Sequence, residues 1–274
     1  MPKGYSFHIG LNNVDSHHYA GWSGALQACE NDADAMAAVA QSLKYSEITV
    51  LKTKQATRQT VKMALEKYAA TLTKDDILLL SYSGHGGQLP DLNGDEITDG
   101  KDETWCLYDG ELVDDELFGA FTQFAPGVRI VVISDSCHSG SVTREYAAIG
   151  SALVQAHPKA AFRFMPQEVA RRTYAANKAL YQPLCRENRL ARKALKATVR
   201  LLSGCQDNQT ALDGDFNGLF TQRLLQVWNN GNFGGDYHSF HEGILKLMPP
   251  YQTPAHSVSG RRNRLFDKQQ PFSI

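Results

Sequence analysis

The sequence predicts an α/β fold, with a mostly parallel sheet and helices on both of its faces. Apolar segments of strand length alternate along the chain with longer segments whose apolar residues recur every three or four positions. Two strand segments, at residues 77–80 and 130–133, are uninterrupted aliphatic runs, the pattern of strands buried on both faces of a parallel sheet. Strands connected through helices in this way pair in parallel, and the crossovers place the helices on the two faces.

Three strands and three helices are predicted in the first half of the chain. The strands lie at residues 5–11, 47–51 and 77–80, and the first two helices lie at 25–44 and 57–72. The apolar residues of both helices recur at steps of three and four, so one face of each helix packs on the sheet. A third helix passes through Leu117 and Phe124, and we expect Asp114 to cap it while Val113 packs against Phe118.

The second half of the chain continues the alternation around a long insert at residues 141–196. The strand at 130–133 precedes the insert. After it come a strand at 199–202, helices at 217–228 and 239–248, and an edge strand near 255–259. Ser239 and Glu242 form a capping-box pattern at the start of the last helix, and Pro249 stops it.

The composition is that of a globular protein. The 274 residues carry a formal net charge of −1 and 42% hydrophobic residues, so we expect no nucleic acid among the partners. No apolar segment is long enough to span a bilayer, and the N-terminus lacks the apolar core of a signal peptide, so no membrane association is expected. Five cysteines, an odd number without metal-ligand spacing, favour free thiols in a reducing, cytoplasmic environment.

A cysteine and a histidine follow two of the apolar strands. Cys137 lies just beyond the strand at residues 130–133, and His85 lies just beyond the strand at 77–80. The ligand crevice of an open α/β sheet lies at the carboxyl ends of its strands, so the two side chains meet there if the strands are neighbours. A thiol needs such a base to attack a carbonyl carbon, and the imidazole then protonates the leaving amine. The N–H groups of Gly86 and Cys137 are candidates for stabilising the oxyanion.

The motifs around this pair resemble those of a known family. Ser-Gly-His-Gly at residues 83–86, followed by Asp-Ser-Cys-His-Ser-Gly at 135–140, resembles the catalytic pair of metacaspases, in particular the bacterial members called orthocaspases. The histidine precedes the cysteine by about 50 residues, as in caspases. The resemblance covers roughly residues 5–145 and 197–260. It implies a caspase-like three-layer sandwich, whose mostly parallel six-stranded sheet has helices on both faces.

The resemblance also implies how the chain is organised. A single caspase-like domain is expected over residues 1–274. Within it, 1–145 form a large-subunit-like part with the Cys–His pair, 141–196 form a basic insertion or linker, and 197–274 form a small-subunit-like part. The metacaspases that the chain resembles are usually monomeric, so we expect a monomer.

The implied activity is that of a cysteine endopeptidase, with Cys137 as nucleophile and His85 as general base and acid. The family requires no third residue to orient His85, and the sequence offers no clear candidate. His138 is the nearest rival base, but adjacent side chains tend to point apart. A lone cysteine is more often part of a core, so this interpretation requires a thiol that solvent and substrate can reach.

A pocket for a basic side chain before the scissile bond is implied as well. Cys29 and Asp32 match one wall of that pocket, and Ser83 and Asp135 match the other. A guanidinium pairs with carboxylates in bidentate fashion and an ammonium pairs as a point charge. We therefore expect protein or peptide substrates that are cleaved after Arg or Lys, and little cleavage after Asp. In the alternative interpretation, Asp32 only caps a helix turn and Asp135 only ends a strand.

Calcium is expected only as an activator, because the chemistry itself needs no cofactor. Several metacaspases use calcium, and the acids that match their site are Asp102, Asp114 and Asp115. The family has a fourth acid at the position where this chain has Arg144. The arginine either takes the place of the ion, or Glu145 serves as the fourth ligand instead. The alternative is that Asp114 is a helix cap and that the other acids belong to a solvated loop.

Charge is distributed unevenly along the chain. Residues 91–116 hold eleven acids and one lysine, whereas the insert at 141–196 holds eleven lysines and arginines and three acids. The insert is either a solvated helical surface insertion or a regulatory segment that lies across the acidic cleft and offers a basic residue to the pocket. Self-cleavage there would separate the two subunit-like parts, and several basic residues are suitable: Arg171, Arg172, Arg189, Arg192, Lys193 and Lys196.

Two other functions stay open at this point. One is a catalytically weak caspase-like module that acts by binding partners, which the intact Cys–His pair disfavours. The other is a thiol hydrolase of small esters or amides, which the acidic pocket disfavours. The segment at residues 203–207 follows a strand end, as in the family, and is either a turn or a border of the cleft.

Overall fold

The computed structural model describes residues 1–92, 100–137, 161–187, 195–205, 213 and 216–274. Its strands are β1 Gly4–Gly10, β2 Glu47–Lys52, β3 Ile77–Ser83, β4 Gly86–Pro90, β5 Lys101–Leu107, β6 Gly110–Val113, β7 Arg129–Asp135, β8 Thr198–Ser203 and β9 Ala255–Gly260. Its helices are α1 Cys29–Ser42, α2 Arg58–Thr71, α3 Asp114–Phe121, α4 Gln167–Ala176, α5 Lys178–Glu187, α6 Leu219–Trp228, α7 Tyr237–Leu245 and α8 Arg264–Lys268. Within these residues, no helix combines the length and the apolar character needed to cross a membrane.

Six strands form the central sheet, in the order β2-β1-β3-β7-β8-β9. All neighbouring pairs are parallel except β8 and β9, which are antiparallel. Leu79 of β3 and Val131 of β7 pack with α1, α6 and α7 on one face, whereas Leu78 and Val132 pack with α2 and α3 on the other. The expected three-layer α/β fold, with a mostly parallel six-stranded sheet, is therefore confirmed.

A second sheet, which the sequence does not predict, consists of β4, β5 and β6 in antiparallel pairing. The segment that forms β4 is Gly-Gly-Gln-Leu-Pro, which has little strand propensity, and β5 begins with Lys-Asp-Glu. Burial of Leu89, Trp105 and Leu112 against the rest of the molecule compensates for this weak propensity. Because β4 begins directly after His85, this sheet fixes the backbone next to that histidine.

Helix α1 begins at Cys29, later than the predicted start at residue 25. Gln27 and Ala28 donate their backbone N–H groups to the two carboxylate oxygens of Asp213, at 2.7 and 3.3 Å. These hydrogen bonds hold the residues before Cys29 outside the helix. The start of α1 therefore depends on a residue far along the chain, which local periodicity does not reveal.

Two other helix caps also differ from the prediction. Helix α7 begins at Tyr237 because Asp236 accepts the backbone N–H of Ser239, so Ser239 is inside the helix rather than its cap. Helix α3 begins at Asp114 and has Val113 as its cap residue. Asp114 is therefore the first helical residue, and the expectation that it caps α3 is wrong.

The described part of the basic insert packs against the rest of the molecule. Tyr181 of α5 is buried, accepts a hydrogen bond from the N–H of Glu111 at 2.9 Å and contacts the imidazole of His18. It also forms a small apolar cluster with Leu89 and Val113 of the second sheet. This part of the insert is helical, as expected, and it packs one face against the second sheet while residues such as Arg171 and Arg172 on its other face are exposed.

Candidate active site

The carboxyl ends of β3 and β7 bring the predicted site residues to one edge of the central sheet. The two strands are parallel neighbours, with Ser83 opposite Asp135. The segments that follow them meet at one atom, because Gly86 and Cys137 both donate their N–H groups to the carbonyl oxygen of Arg163, at 3.0 and 3.1 Å. The two N–H groups that the sequence predicts for an oxyanion site therefore both bind the same peptide carbonyl oxygen.

His85 is buried and is oriented by a backbone carbonyl. Its Nε2 lies 3.0 Å from the carbonyl oxygen of Gly24, which accepts a hydrogen bond only if Nε2 carries the proton. Nδ1 is then the unprotonated nitrogen, and it is buried, with the backbone of Phe164 close to the ring. Burial lowers the pKa of His85 to about 4, although the contact with Gly24 raises it. The imidazole is therefore neutral near pH 7, with a lone pair on Nδ1 that accepts a proton.

The sequence gives no sign that Gly24 orients His85, because a backbone carbonyl leaves no signature in residue identity. Gly24 has a φ of +52°, and a Cβ there would lie 3.0 Å from Cδ2 of His85. Glycine is therefore favoured on both counts. The Trp22 ring covers His85 with a centroid distance of 4.6 Å. The rival base His138 lies outside the described residues.

Cys137 lies at the same edge but is buried, contrary to the expectation of an accessible thiol. It packs against Cys205, which follows β8, and against Phe164. Cys205 thus borders the cleft, which is one of the two interpretations of that segment. Phe164 belongs to the basic insert and directly follows Arg163. The chain's own insert therefore helps to cover the thiol.

The side chain of Arg163 fills the predicted acidic pocket. Its Nη2 contacts Asp32 Oδ2 at 2.8 Å and Asp213 Oδ1 at 2.9 Å. Its Nη1 contacts Ser83 Oγ at 2.8 Å and Asp135 Oδ2 at 3.0 Å. All five residues are buried, and Arg163 is 0% exposed. Three carboxylates and one hydroxyl thus surround one guanidinium.

The charges in this pocket depend on one another. Burial alone would lower the pKa of Arg163, but Asp135, Asp32 and Asp213 raise it well above its ordinary value. Burial raises the pKa of Asp135, and the nearby Arg163 opposes that shift. The guanidinium is therefore charged. Removing one partner from a buried ion pair costs about 3–5 kcal/mol, because an uncompensated charge stays behind.

Cys29 and Gly218 complete the walls of the pocket. Cys29 is buried, and burial raises the pKa of its thiol while the charge of Arg163 lowers it. At Gly218 a Cβ would lie 2.5 Å from the guanidinium carbon, so only glycine leaves room for it. The N–H of Gly218 also donates to Oδ1 of Asp32 at 3.0 Å. Asp32 is therefore a pocket residue in the first turn of α1 rather than a helix cap.

The sequence does not single out Asp213 or Gly218 as site residues. Asp213 follows β8 in a stretch without the apolar periodicity that would place it on an element, and Gly218 lies at the start of the predicted helix at 217–228, where its role in the pocket has no signature. The only signal there is a set of acids without intervening bases, at Asp207, Asp213 and Asp215. Of these three acids, the structure describes Asp213, and its carboxylate contacts the guanidinium of Arg163.

Family comparison agrees with this geometry. A family model described as the caspase domain matches residues 14–270. The chain belongs to the caspase domain family. Members of this family are cysteine peptidases, so the paired strand ends with His85 and Cys137 are the expected place for its chemistry.

Metacaspases are among the relatives of this caspase-domain chain. Metacaspase-1A of Aspergillus clavatus is 37% identical over 166 residues, which cover 51% of this chain and 37% of that protein. Metacaspase-1 of Coccidioides immitis is 37% identical over 166 residues, which cover 51% of this chain and 34% of that protein. The chain thus spans less than two fifths of the length of these curated relatives.

Solved structures match over most of the chain. Protein GSU0716 from Geobacter sulfurreducens is 49% identical with a TM-score of 0.88, over 100% of this chain and 99% of that chain. Caspase-1 from Spodoptera frugiperda has a TM-score of 0.53 at 11% identity, over 94% of this chain and 86% of that chain, and it shows the fold alone. The resemblance to metacaspases and the caspase-like fold are therefore confirmed.

The residues expected to bind calcium lie on β5 and at the start of α3. Burial raises the pKa of Asp102 to about 8, and the nearby charges of Asp114 and Asp115 add to the shift. In the described part of the chain, no three His, Cys, Asp or Glu side chains are placed to hold a metal ion together. Asp102 is thus largely protonated near pH 7, and the three acids are not arranged as a metal site among the described residues. Arg144 and Glu145 lie outside the described residues.

The basic residues suggested for self-cleavage do not enter the pocket where the structure describes them. Arg171 and Arg172 are exposed on α4, within reach of Glu168, and Lys196 is exposed as well. The other three lie outside the described residues: Arg189, Arg192 and Lys193. Arg163 lies between Phe162 and Phe164, so it lacks the adjacent bases that mark the other candidates.

Proposed function

We propose that this chain is a cysteine endopeptidase that cleaves peptide bonds after arginine and, more slowly, after lysine. One observation carries the proposal. The carbonyl oxygen of Arg163 lies between the amides of Gly86 and Cys137, while its guanidinium lies among three carboxylates. Such distances suit an oxyanion hole and a charged specificity pocket. A substrate with arginine before its scissile bond fits both at once.

In the proposed mechanism Cys137 is the nucleophile and His85 is the base. Nδ1 of His85 accepts the thiol proton, and the thiolate attacks the carbonyl carbon of the substrate arginine. The N–H groups of Gly86 and Cys137 stabilise the resulting oxyanion. The imidazolium protonates the leaving amine, and water then hydrolyses the thioester with His85 again as base. Gly24 keeps a proton on Nε2, so Nδ1 is the nitrogen that exchanges protons.

The pocket favours arginine over lysine because its acceptors lie on two sides of the guanidinium. Nη1 and Nη2 each contact two side chains, whereas a single ammonium nitrogen cannot occupy both positions. A hydrogen bond to a charged group contributes about 1.5–3 kcal/mol. Loss of one such contact therefore lowers kcat/KM about tenfold or more. Aspartate would bring a fourth carboxylate into the pocket, so we expect no cleavage after it.

Fluorogenic peptides that differ only in the residue before the scissile bond test this proposal. The expected order of kcat/KM is arginine, then lysine, with glutamine and aspartate near the background. Cys137→Ala and His85→Ala are expected to abolish hydrolysis, and an arginine chloromethyl ketone is expected to label Cys137. Preference for aspartate, or hydrolysis that survives Cys137→Ala, would contradict the proposed function.

The partners that follow from this proposal are proteins or peptides with an accessible arginine or lysine. A cytoplasmic location, which five cysteines without metal-ligand spacing favour, stays a prediction. Cell fractionation with an antibody against the chain measures it directly.

A further inference from the structure

Residues 161–165 lie in the cleft as a bound peptide would, although they belong to the chain itself. We infer that the peptide bond between Arg163 and Phe164 is the bond at which the chain cleaves itself. This inference rests on the proposed endopeptidase function and names its first substrate. Until that bond is cut, Arg163 occupies the pocket and keeps it closed to other substrates.

Backbone hydrogen bonds hold this segment on both sides of the bond. Upstream, the carbonyl oxygen of Ala161 accepts the N–H of Asp213 at 2.8 Å. Downstream, Met165 donates its N–H to the carbonyl oxygen of Gly86 at 2.7 Å. The carbonyl of Arg163 is therefore held from both ends, next to the two amides that bind its oxygen. Restriction of a reacting group to one position is what an intramolecular reaction requires.

Side chains fix the same segment at three successive residues. Arg163 fills the acidic pocket, Phe164 packs on Cys137, and Met165 is buried in a cluster with Cys106. The side chain over the thiol thus belongs to the residue whose amine would leave. A loop that only passed over the cleft would not need the guanidinium and the carbonyl oxygen of Arg163 and the side chains of the two residues after it to be bound at the same time.

The proposed self-cleavage uses this machinery and one water molecule. His85 takes the thiol proton, Sγ of Cys137 bonds to the carbonyl carbon of Arg163, and the C–N bond to Phe164 breaks as its amine receives that proton. Water then adds to the thioester carbon after giving a proton to His85, and the C–S bond breaks as the thiolate takes that proton back. The products are residues 1–163, ending in a carboxylate, and residues 164–274.

Cleavage would also loosen the hold of the pocket on Arg163. In the intact chain, Arg163 is tied through Met165 to Gly86 and to helix α4. After the cut, the chain connects Arg163 only to the residues before it. A substrate arginine therefore displaces Arg163 from the pocket more easily than in the intact chain. We therefore expect the cut chain to hydrolyse added peptides at least tenfold faster than the uncut chain.

The first test is the intact mass and N-terminal sequence of the purified full chain during incubation. The wild type is expected to yield a fragment that begins with Phe164, at a rate independent of protein concentration, because the bond lies in its own cleft. Cys137→Ala is expected to stay intact. Arg171→Gln is the matched control: it removes an exposed arginine of the same insert and is expected to be cut like the wild type. A cut elsewhere, or a rate that rises with concentration, overturns the inference.

Variants at the bond separate cleavage from folding. Arg163→Gln removes the cleavage site but leaves three buried carboxylates without their cation, so loss of cleavage there can reflect misfolding. Phe164→Pro keeps Arg163, and the backbone hydrogen bonds with Gly86 involve Arg163 and Met165 rather than the N–H of Phe164. It is expected to stay folded by circular dichroism, to stay intact, and to hydrolyse arginine peptides at least tenfold more slowly than the cut wild type. Phe164→Ala is its control and is expected to be cut.

These measurements distinguish a failure of the self-cleavage inference from a failure of the proposed endopeptidase function. If Phe164→Pro is cut, or stays intact and yet is as active as the cut wild type, the inference is wrong. If the wild type stays intact but hydrolyses arginine peptides in a Cys137-dependent manner, only the self-cleavage is wrong. If neither the wild type nor Arg163→Lys, which keeps a cation in the pocket, hydrolyses peptides or reacts at Cys137 with the chloromethyl ketone, the proposed function itself fails.

Discussion

At the scale of single residues, Asp213 joins the pocket to the start of a helix. Its two carboxylate oxygens accept the N–H groups of Gln27 and Ala28, and Oδ1 also binds the guanidinium of Arg163. Asp32 lies one turn further on in the same helix and binds the same guanidinium nitrogen. One carboxylate therefore both supplies charge to the pocket and positions the helix that carries a second one.

Asp213→Asn is expected to lower kcat/KM for arginine peptides about tenfold or more, mainly through KM. Asparagine carries no charge and has one acceptor oxygen, which cannot replace both oxygens of the carboxylate. The preference for arginine over lysine is expected to shrink in the same variant. The measurement is a comparison of kcat and KM with arginine and lysine peptides on fully cut protein.

Asp34→Asn is the matched control for this prediction. Asp34 lies on the same helix but is exposed and pairs with Lys52 at 2.6 Å, so its removal takes away one negative charge without touching the pocket. Its kinetic constants are expected to equal those of the wild type. Equal losses in the two variants would mean that net charge, and not the pocket contact, sets the affinity.

At the scale of elements, the sequence predicts segments whose apolar residues alone decide their structure. The aliphatic runs in β3 and β7 and the amphipathic pattern of α2 belong to this class. The antiparallel strands β4 and β5 do not, because glycine and charged residues form strands there only through packing against the rest of the molecule. Tertiary burial outweighs local propensity in this second sheet.

The same distinction explains which site residues the sequence reveals. Ser83, His85, Asp135 and Cys137 end or follow buried parallel strands, and the topology of a parallel sheet collects them at one edge. Gly24, Asp213 and Arg163 come from segments without such a register. Gly24 acts through its backbone carbonyl, and Arg163 reaches the pocket through tertiary contacts of the segment at 161–165, which local sequence does not reveal.

The candidate calcium ligands lie where β5 meets the start of α3: Asp102 belongs to β5, and Asp114 and Asp115 begin α3. Burial and the charges of Asp114 and Asp115 raise the pKa of Asp102 to about 8, so this carboxyl is largely protonated near pH 7 when no cation lies beside it. Oxygen ligands of this kind suit calcium. We propose that calcium activates the enzyme here, and that it raises the midpoint of thermal unfolding of Cys137→Ala, because a ligand that binds only the folded state stabilises it.

Asp102→Asn separates a specific calcium effect from a general one. Both the gain in thermal stability and the gain in peptide hydrolysis are expected to disappear in this variant. Glu66→Gln, which removes an exposed acid on α2, is expected to keep both responses. If protein treated with EDTA has full activity and calcium moves neither measurement, calcium has no role at these acids.

At the scale of the whole molecule, the proposed cut falls between two neighbouring strands of the central sheet. Strand β7 precedes the bond, β8 follows it, and the two strands pair in parallel from Arg129 to Ser134. Helices α6 and α7 also follow the bond, and they pack with residues of α1, β3 and β7 in one apolar core. The two fragments therefore share a sheet and a core, so the cut severs the chain without dividing the fold.

We therefore expect the fragments to stay together as one particle of monomer size after the cut. Separation would expose core side chains such as Val131 and Phe220, and each buried aliphatic or aromatic side chain contributes about 1.5–3 kcal/mol. Gel filtration with light scattering is expected to give one peak with the mass of a single chain, at the volume of uncut Cys137→Ala. A denaturing gel of that peak is expected to show two bands.

Unfolding distinguishes a noncovalent pair from a single chain even where their sizes agree. For the cut protein, unfolding releases two chains, so its urea midpoint is expected to rise with protein concentration. For Cys137→Ala, which unfolds as one chain, the midpoint is expected to stay constant. Two native peaks would show that the shared core does not hold the fragments together, and a peak of twice the mass would show that the protein is a dimer rather than the expected monomer.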